Sequence, residues 1–376
     1  MPGLARHRIF AFTIGSRGYI GCGWNGTNMY QDVWEYDPGN NSWSQKADYP
    51  PGPRLCPFSF AIGMKGYVGA GLDQFLVSMV DVYEFDPIQN TWTQKNDFGG
   101  SARFGCASAV LNGKGYVAMG DEWDPNYFRQ NDLWVYDPNF DSWNYVSQMP
   151  ADGRRDPIGF TLGGKLFFGT GADNLGNQHN DLWQYDPANG IWTSKANAGN
   201  MLRAQATGFA LNGKGYIGLG QDQLGNDRND MLEYNYSTNS WRGVTSFSGA
   251  SRENCFSFII GNVAYLTCGT NGINYNDLWE FNPALETGTK NLEENTFSVS
   301  VFPNPAVSSC SISLIGSSAV KGSFELFDVN GKLERKILVD KDLFTLERGD
   351  LSSGTYFYKL NSIDERSVSG KIIFID

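Results

Sequence analysis

A seventeen-residue step from an arginine to a glycine occurs six times in the chain: Arg6 to Gly23, Arg54 to Gly71, Arg103 to Gly120, Arg154 to Gly171, Arg203 to Gly220 and Arg252 to Gly269. Successive glycines lie 48, 49, 51, 49 and 49 residues apart, and each is followed by an aspartate: Asp32, Asp81, Asp132, Asp181, Asp230 and Asp277. A constant step inside the unit and a near-constant period between units mean that one module has been repeated. A period near fifty accommodates four short antiparallel strands, the size of a propeller blade.

Each unit can be drawn strand by strand. The arginine opens strand a, and a tight turn follows, written Asn112-Gly113 and Asn212-Gly213 in two units, a strong hairpin signal. Strand b is the "GYVAMG" type; a loop of seven to eleven residues leads to the aspartate and strand c, as in "DLWVYDP". An Asp-Pro turn then leads to strand d and its tryptophan: Trp43, Trp92, Trp143, Trp192 and Trp241. The sixth unit, "NDLWEFNPALETGTK", has no such tryptophan. A closed propeller leaves no free sheet edge, and "MPGLAR" resembles the segment after strand d elsewhere, as in "QMPADGR". Strand d of the closing blade is therefore expected upstream of residue 1, and a signal peptide with it.

Composition agrees with many short strands: 45 glycines, 14% aromatic and only 18% charged residues. A net charge of −11 argues against a nucleic-acid partner, and no apolar run reaches the length of a transmembrane segment. Six cysteines without a CxxC pair suggest neither a disulfide scaffold nor zinc. One pair stands apart: with Gly261-Asn262 as a two-residue turn, Cys255 and Cys268 face each other, so a disulfide and two neighbouring thiols are both open readings.

The order of these features, an opening run, a paired-glycine strand, "YDP" and a spaced tryptophan, resembles the kelch repeat family over residues 1–283. The resemblance implies an all-β, six-bladed kelch-like β-propeller. One departure is a Gly-x-Gly where the family has Gly-Gly, so the local turn is expected to differ.

Residues 284–296 read as a polar linker. Residues 297–376 contain no tryptophan and alternate apolar with polar residues between turn signals, which suggests a small immunoglobulin-like β-sandwich. "FPNP" (Pro303, Asn304, Pro305), "LFDVNGK" with Gly331, "LSSGTYFYKL" with Gly354 and Tyr356, and the terminal "GKIIFID" resemble the sorting domain of the type IX secretion system of Bacteroidota. The resemblance implies that the machinery of that system is a partner and that the chain is secreted or displayed on the outer-membrane surface.

In a four-stranded blade the b–c and d–a connections share one face, and variable loops on a rigid scaffold are where binding usually lives. Trp24, Trp123, Tyr127 and Tyr275 lie in such loops beside Asn, Gln and Asp, a mixture suited to a glycan or protein ligand. The arginine ring has two readings. Six guanidinium groups, Arg103 and Arg203 among them, could converge on one mouth of the channel and bind carboxylates, or each could hold its own strand-c aspartate. Arg155, beside Arg154 but not repeated, is the sharper ligand-binding candidate.

The two histidines, His7 and His179, fall in opposite blades, and no residue set marks a metal or cofactor site. The expectation is a binding protein. The alternative is a carbohydrate-active enzyme, a lyase, epimerase or hydrolase, using carboxylates such as Asp121 and Glu122 with Arg155.

Overall fold

The computed structural model describes residues 3–122, 128–281, 297–316, 322–329, 331–362 and 367–376. It divides into two compact units, Met1–Glu286 and Thr287–Asp376. The described residues form strands and turns and no helix.

The first unit is a six-bladed propeller. Blade 1 comprises strands a (Phe10–Ile14), b (Arg17–Gly21), c (Val33–Asp37) and d (Ser42–Lys46), paired in that order. Blades 2 to 5 repeat it. Blade 6 has three strands among the described residues, Phe256–Ile260, Val263–Thr267 and Leu278–Phe281.

Burial follows strand position. Strand a alternates buried and half-buried residues, strand b is buried along nearly its whole length, and strand d is mostly exposed. Strand b is covered on both faces, so its residues read as a continuous run rather than an alternation. Hydrophobic clusters lie between blades: Tyr36 of blade 1 meets Phe258 and Tyr265 of blade 6, and Phe60 of blade 2 meets Tyr136 of blade 3. The first glycine of "GYxG" makes this contact possible. A Cβ on Gly18 would stand 2.2 Å from the Phe258 ring, and one on Gly66 2.3 Å from Phe12.

The strand-d tryptophans staple neighbouring blades. Trp92, Trp192 and Trp241 donate their indole N–H to Ala47 O, Ser147 Oγ and Ala196 O of the preceding blade. Replacing Trp192 with alanine would cost roughly 3–5 kcal/mol on the scale of large-to-small core changes.

The arginines resolve into a framework. Each is buried and reaches the aspartate of its own blade through both terminal nitrogens, as Arg54 does to Asp81 at 2.6 and 2.8 Å. The same nitrogen that meets the first carboxylate oxygen donates to a backbone carbonyl sixteen residues on: Cys22, Ala70, Met119, Thr170, Leu219 and Cys268. Each is the residue just before the repeated glycine, the middle of a Gly-x-Gly in four blades, and all six have left-handed φ between 56° and 62°. At this position the chain holds a side-chain-bearing residue in a costly conformation and fixes its carbonyl with a guanidinium. The next glycine donates its N–H to the arginine carbonyl of the following blade, and Gly269 to Arg6 O at 3.0 Å closes the circle.

The cysteine pairing is corrected. The register is as expected, Ile260 opposite Val263 and Phe256 opposite Thr267, yet Cys255 and Cys268 are free thiols. The strand ends at Thr267, and Cys268 at φ 62° turns into the interface with blade 1, while Cys255 packs in the interface with blade 5.

The second unit is a β-sandwich. Phe297–Phe302, Ser309–Gly316 and Leu343–Glu347 form one sheet; Leu333–Val339, Gly322–Phe327, Gly354–Ser362 and Ser367–Phe374 form the other. They enclose one core that includes Ile312, Phe324, Leu360 and Ile372. Within the motif residues, Asn304 donates to Lys371 O and accepts from Ile373 N, tying "FPNP" to the last strand between Pro303 and Pro305. Gly331 takes φ 82° in its turn, Gly354 opens the penultimate strand, and the Tyr356 hydroxyl donates to Ser352 O.

Burial raises the carboxyl groups of Asp32, Asp181 and Asp277, but the hydrogen bonds from arginine and indole outweigh it and hold all three below the usual range. Their contribution to stability is therefore complete above the unfolded-chain value of about 3.9 and is lost as pH falls through the lower folded value. Thermal melts between pH 7 and pH 2 should show this acid limb. Asp181→Ala should cost about 3–5 kcal/mol in denaturant unfolding, because it strands buried Arg154; the paired change Arg154→Met with Asp181→Leu should recover most of that.

Candidate functional site

On the face that carries the b–c loops, each arginine is followed by two residues that turn into the channel mouth. The second of these, Arg8, Cys56, Gly105, Asp156, Gln205 and Asn254, all have left-handed φ between 47° and 62°. Five amide-to-carbonyl hydrogen bonds of 3.0–3.3 Å run from one blade to the next through this ring. Backbone strain repeated at every blade is sustained only where its surroundings over-determine it. Below it lies an axial cavity of about 220 Å³, lined by the starts of the innermost strands, Pro57–Ser59 and Pro157–Gly159 among them.

The first residue after each arginine is bridged to the residue after the Gly-x-Gly glycine: His7 to Trp24, Leu55 to Leu72, Phe104 to Asp121, Arg155 to Ala172, Ala204 to Gln221 and Glu253 to Thr270. The backbone is six-fold, but the side chains are not. On blades 1 to 3, Leu55, Leu72 and Phe104 form an apolar wall with Trp24 and Met29 against it. Charged groups flank this wall: Asp121, bridged to Phe104 on blade 3, Arg155 and Asp156 on blade 4, Glu253 on blade 6 and Arg8 on blade 1.

Asp121 is buried, with Arg129 Nε at 3.3 Å and Arg155 Nη1 at 3.7 Å, and its Oδ1 has no hydrogen-bond partner. Arg155 Nε also meets Asp156 Oδ2 at 3.2 Å. Gly105 makes room for this pair, since a Cβ there would stand 2.6 Å from Asp156 Oδ1. Across the mouth, Arg8 has a buried, unpartnered Nε and feels the fields of Asp156 and Glu253. Asp227 Oδ1 is likewise buried without a partner.

These carboxyl groups are held in an unusual state. Burial, reinforced by Asp227 and Asp156 and only partly opposed by Arg8, pushes Glu253 up to about 7. Burial raises Asp121 despite Arg129 and Arg155, and burial together with Asp222 raises Asp227. A carboxyl group poised near neutrality beside a guanidinium can bind hydroxyl groups as donor or acceptor and can exchange a proton with a bound ligand.

The expected site residues separate into four groups. Arg155 and Trp24 are at the mouth, and Trp24 also meets the His7 ring at 5.6 Å. Arg103 and Arg203, expected among ligand-binding residues, instead turn into their own blades and grip Asp132 and Asp230; burying a guanidinium demands a fixed carboxylate, and strand c supplies one. The Tyr275 ring lies 3.8 Å from the Arg252 guanidinium as its cover, the position Tyr30 takes over Arg6 at 4.1 Å. Trp123 and Tyr127 lie outside the described residues.

Arg8, Asp156, Asp227 and Glu253 were not singled out from sequence. The signal for three of them was available: aligning the two positions after each repeated arginine shows where the repeat is broken.

Among the described residues, Asp152, Asp173 and His179 bring three potential metal-ligand atoms within 4.8 Å of one another. Asp173 is already bonded to His179 Nε2, Asn177 Nδ2 and two backbone amides, so these contacts account for it without an ion.

The secretion system C-terminal sorting domain family matches residues 300–375. Such a domain marks the chain for type IX export to the cell surface or extracellular space. No curated protein sequence matches the chain at a significant level. Among solved structures, that of YjhT, a propeller, is similar with a TM-score of 0.64 and 18% identity, covering 74% of this chain and 95% of that one. No helix among the described residues is long and apolar enough to cross a membrane.

A raised acid destabilises the folded state increasingly as pH climbs from its unfolded value of about 4.3 through its folded value. Glu253→Gln should therefore gain Tm relative to the parent chain at pH 8 and show no gain at pH 4. A carboxyl titration by ¹³C NMR should place one midpoint near 7, absent in the variant.

Proposed function

We propose that the chain is an exported kelch-like binding protein that holds a glycan or protein ligand at the channel mouth on its b–c loop face. The observation that carries this reading is the contrast within the repeat. The arginine, aspartate and glycine framework is the same in all six blades, whereas the residues that follow each arginine differ in every blade and bring an apolar cluster beside buried charged groups at one opening. A structural role alone would favour the same residue in each copy.

The polarity favours a saccharide. A sugar ring offers a C–H face to Trp24 and the apolar wall, and hydroxyl groups to the polar groups around it, which include the unpartnered acceptors Asp121 Oδ1 and Asp227 Oδ1 and the unpartnered donor Arg8 Nε. Delivery to the surface by the sorting domain places such a site where extracellular glycans and proteins are met.

A second reading is favoured by Glu253. A carboxyl group near 7 in the same mouth as Arg8 is suited to general acid–base work, which supports a carbohydrate-active enzyme as the alternative.

Proton NMR of the full chain with neutral and acidic oligosaccharides separates the two. Broadening of ligand signals without new resonances supports binding; new resonances over hours mean turnover. Arg155→Gln and Trp24→Ala should each weaken the interaction by about tenfold, about 1.4 kcal/mol. Absence of broadening across the panel, followed by absence of any ligand captured through the mouth, would sink the binding reading.

A further inference from the structure

We infer that blade 5 carries a second, peripheral binding recess for an indole ring. The repeat itself defines the occupant. In blades 1, 3, 4 and 6 the residue two places after the strand-c aspartate is Trp34, Trp134, Trp183 or Trp279, and its indole N–H donates to that aspartate's Oδ2 at 2.7–2.9 Å. Blade 2 places Tyr83 there. Blade 5 places Leu232, so the indole donor of the other blades is missing and, among the described residues, Asp230 Oδ2 accepts from Arg203 alone, at 3.1 Å.

The ring's neighbour is missing as well. Five residues before the framework arginine stand Tyr49, Phe98, Met149, Ala198 and Phe247 in blades 2 to 6. Tyr49 packs on Tyr83, Phe98 on Trp134 and Phe247 on Trp279 with ring centroids 5.4–5.8 Å apart, and each of these three rings also approaches its arginine at 5.0–5.3 Å. Blade 5 has Ala198 and Leu232 where blades 2, 3 and 6 have an aromatic pair.

The consequence is measurable in the structure. Asp230 is 47% exposed, against 13–33% for the other five framework aspartates. A recess of about 580 Å³ opens beside it, walled by Ala198, Met201, Leu232 and Asp230, with exposed Leu202 and Leu224 at or near its rim, within the range of small-ligand sites. A planar ring entering it would take the place of the absent side chain, lie on Leu232 and Ala198, and direct its N–H at Asp230 Oδ2. The recess uses none of the channel-mouth residues, so the two readings stand or fall separately.

The probe is 5-fluoroindole, titrated into the full chain and followed by ¹⁹F NMR. We expect saturable binding at one site, weakened at least tenfold by Leu232→Trp, which restores the ring found in four other blades, and by Ala198→Phe. Leu232→Trp should also raise Tm. Benzothiophene, of similar shape but without the N–H, should bind at least fivefold more weakly. N-acetyltryptophanamide and a tryptophan-bearing peptide then distinguish a free indole compound from a tryptophan on a partner chain by which of them competes. Lack of saturation, undiminished binding by the folded variants, or equal affinity for benzothiophene overturns the proposal; if Leu232→Trp does not fold, Ala198→Phe decides it.

Discussion

The propeller depends on a buried guanidinium that cannot stay buried alone. Each framework arginine is removed from water at the start of strand a, where an unpaired charge would be severely penalised. The carboxylate on strand c answers the charge, and the carbonyl of a left-handed residue takes part of the remaining hydrogen-bonding capacity. Through this one side chain the start of strand a, the end of strand b and the start of strand c are tied together. The arginine's own carbonyl then receives the N–H of the preceding blade's glycine, so the same residue ties blade to blade.

Because that framework is satisfied six times over, the surface above it is free to vary. The backbone geometry at the mouth is nearly identical from blade to blade, and the side chains depart from it. Two departures matter most. At the mouth, Arg155 and Glu253 stand at the first position after their framework arginines and Arg8 and Asp156 at the second, and they make the opening asymmetric beside the apolar cluster. On blade 5, the loss of an aromatic pair exposes an aspartate that other blades cover. In both cases the repeat supplies the internal reference against which the departure is read.

The sequence revealed the architecture well because its signals are local and repeated. The Arg-to-Gly step, the Asn-Gly turns and the spaced tryptophans are properties of single blades, and each was confirmed by strand pairing in register. The site was less legible. Arg155 was visible as an unrepeated neighbour of Arg154, whereas Asp227 and Arg8 lie 219 residues apart in the numbering and converge only when the ring closes. Cys255 and Cys268 show the converse: the hairpin register was right, but the end of the strand turned the two thiols into different interfaces.

What the sequence by itself determined is the module, its count and the sorting domain, since strand period, turn residues and motif order act over a few residues. What only the tertiary structure decided is where charge is buried, which side chains from distant blades share one opening, and which framework positions are left uncovered. The physical reason is that desolvation and long-range packing depend on what surrounds a group in space, so the same arginine or aspartate is a paired framework residue in one position and a buried group with an unpartnered atom in another.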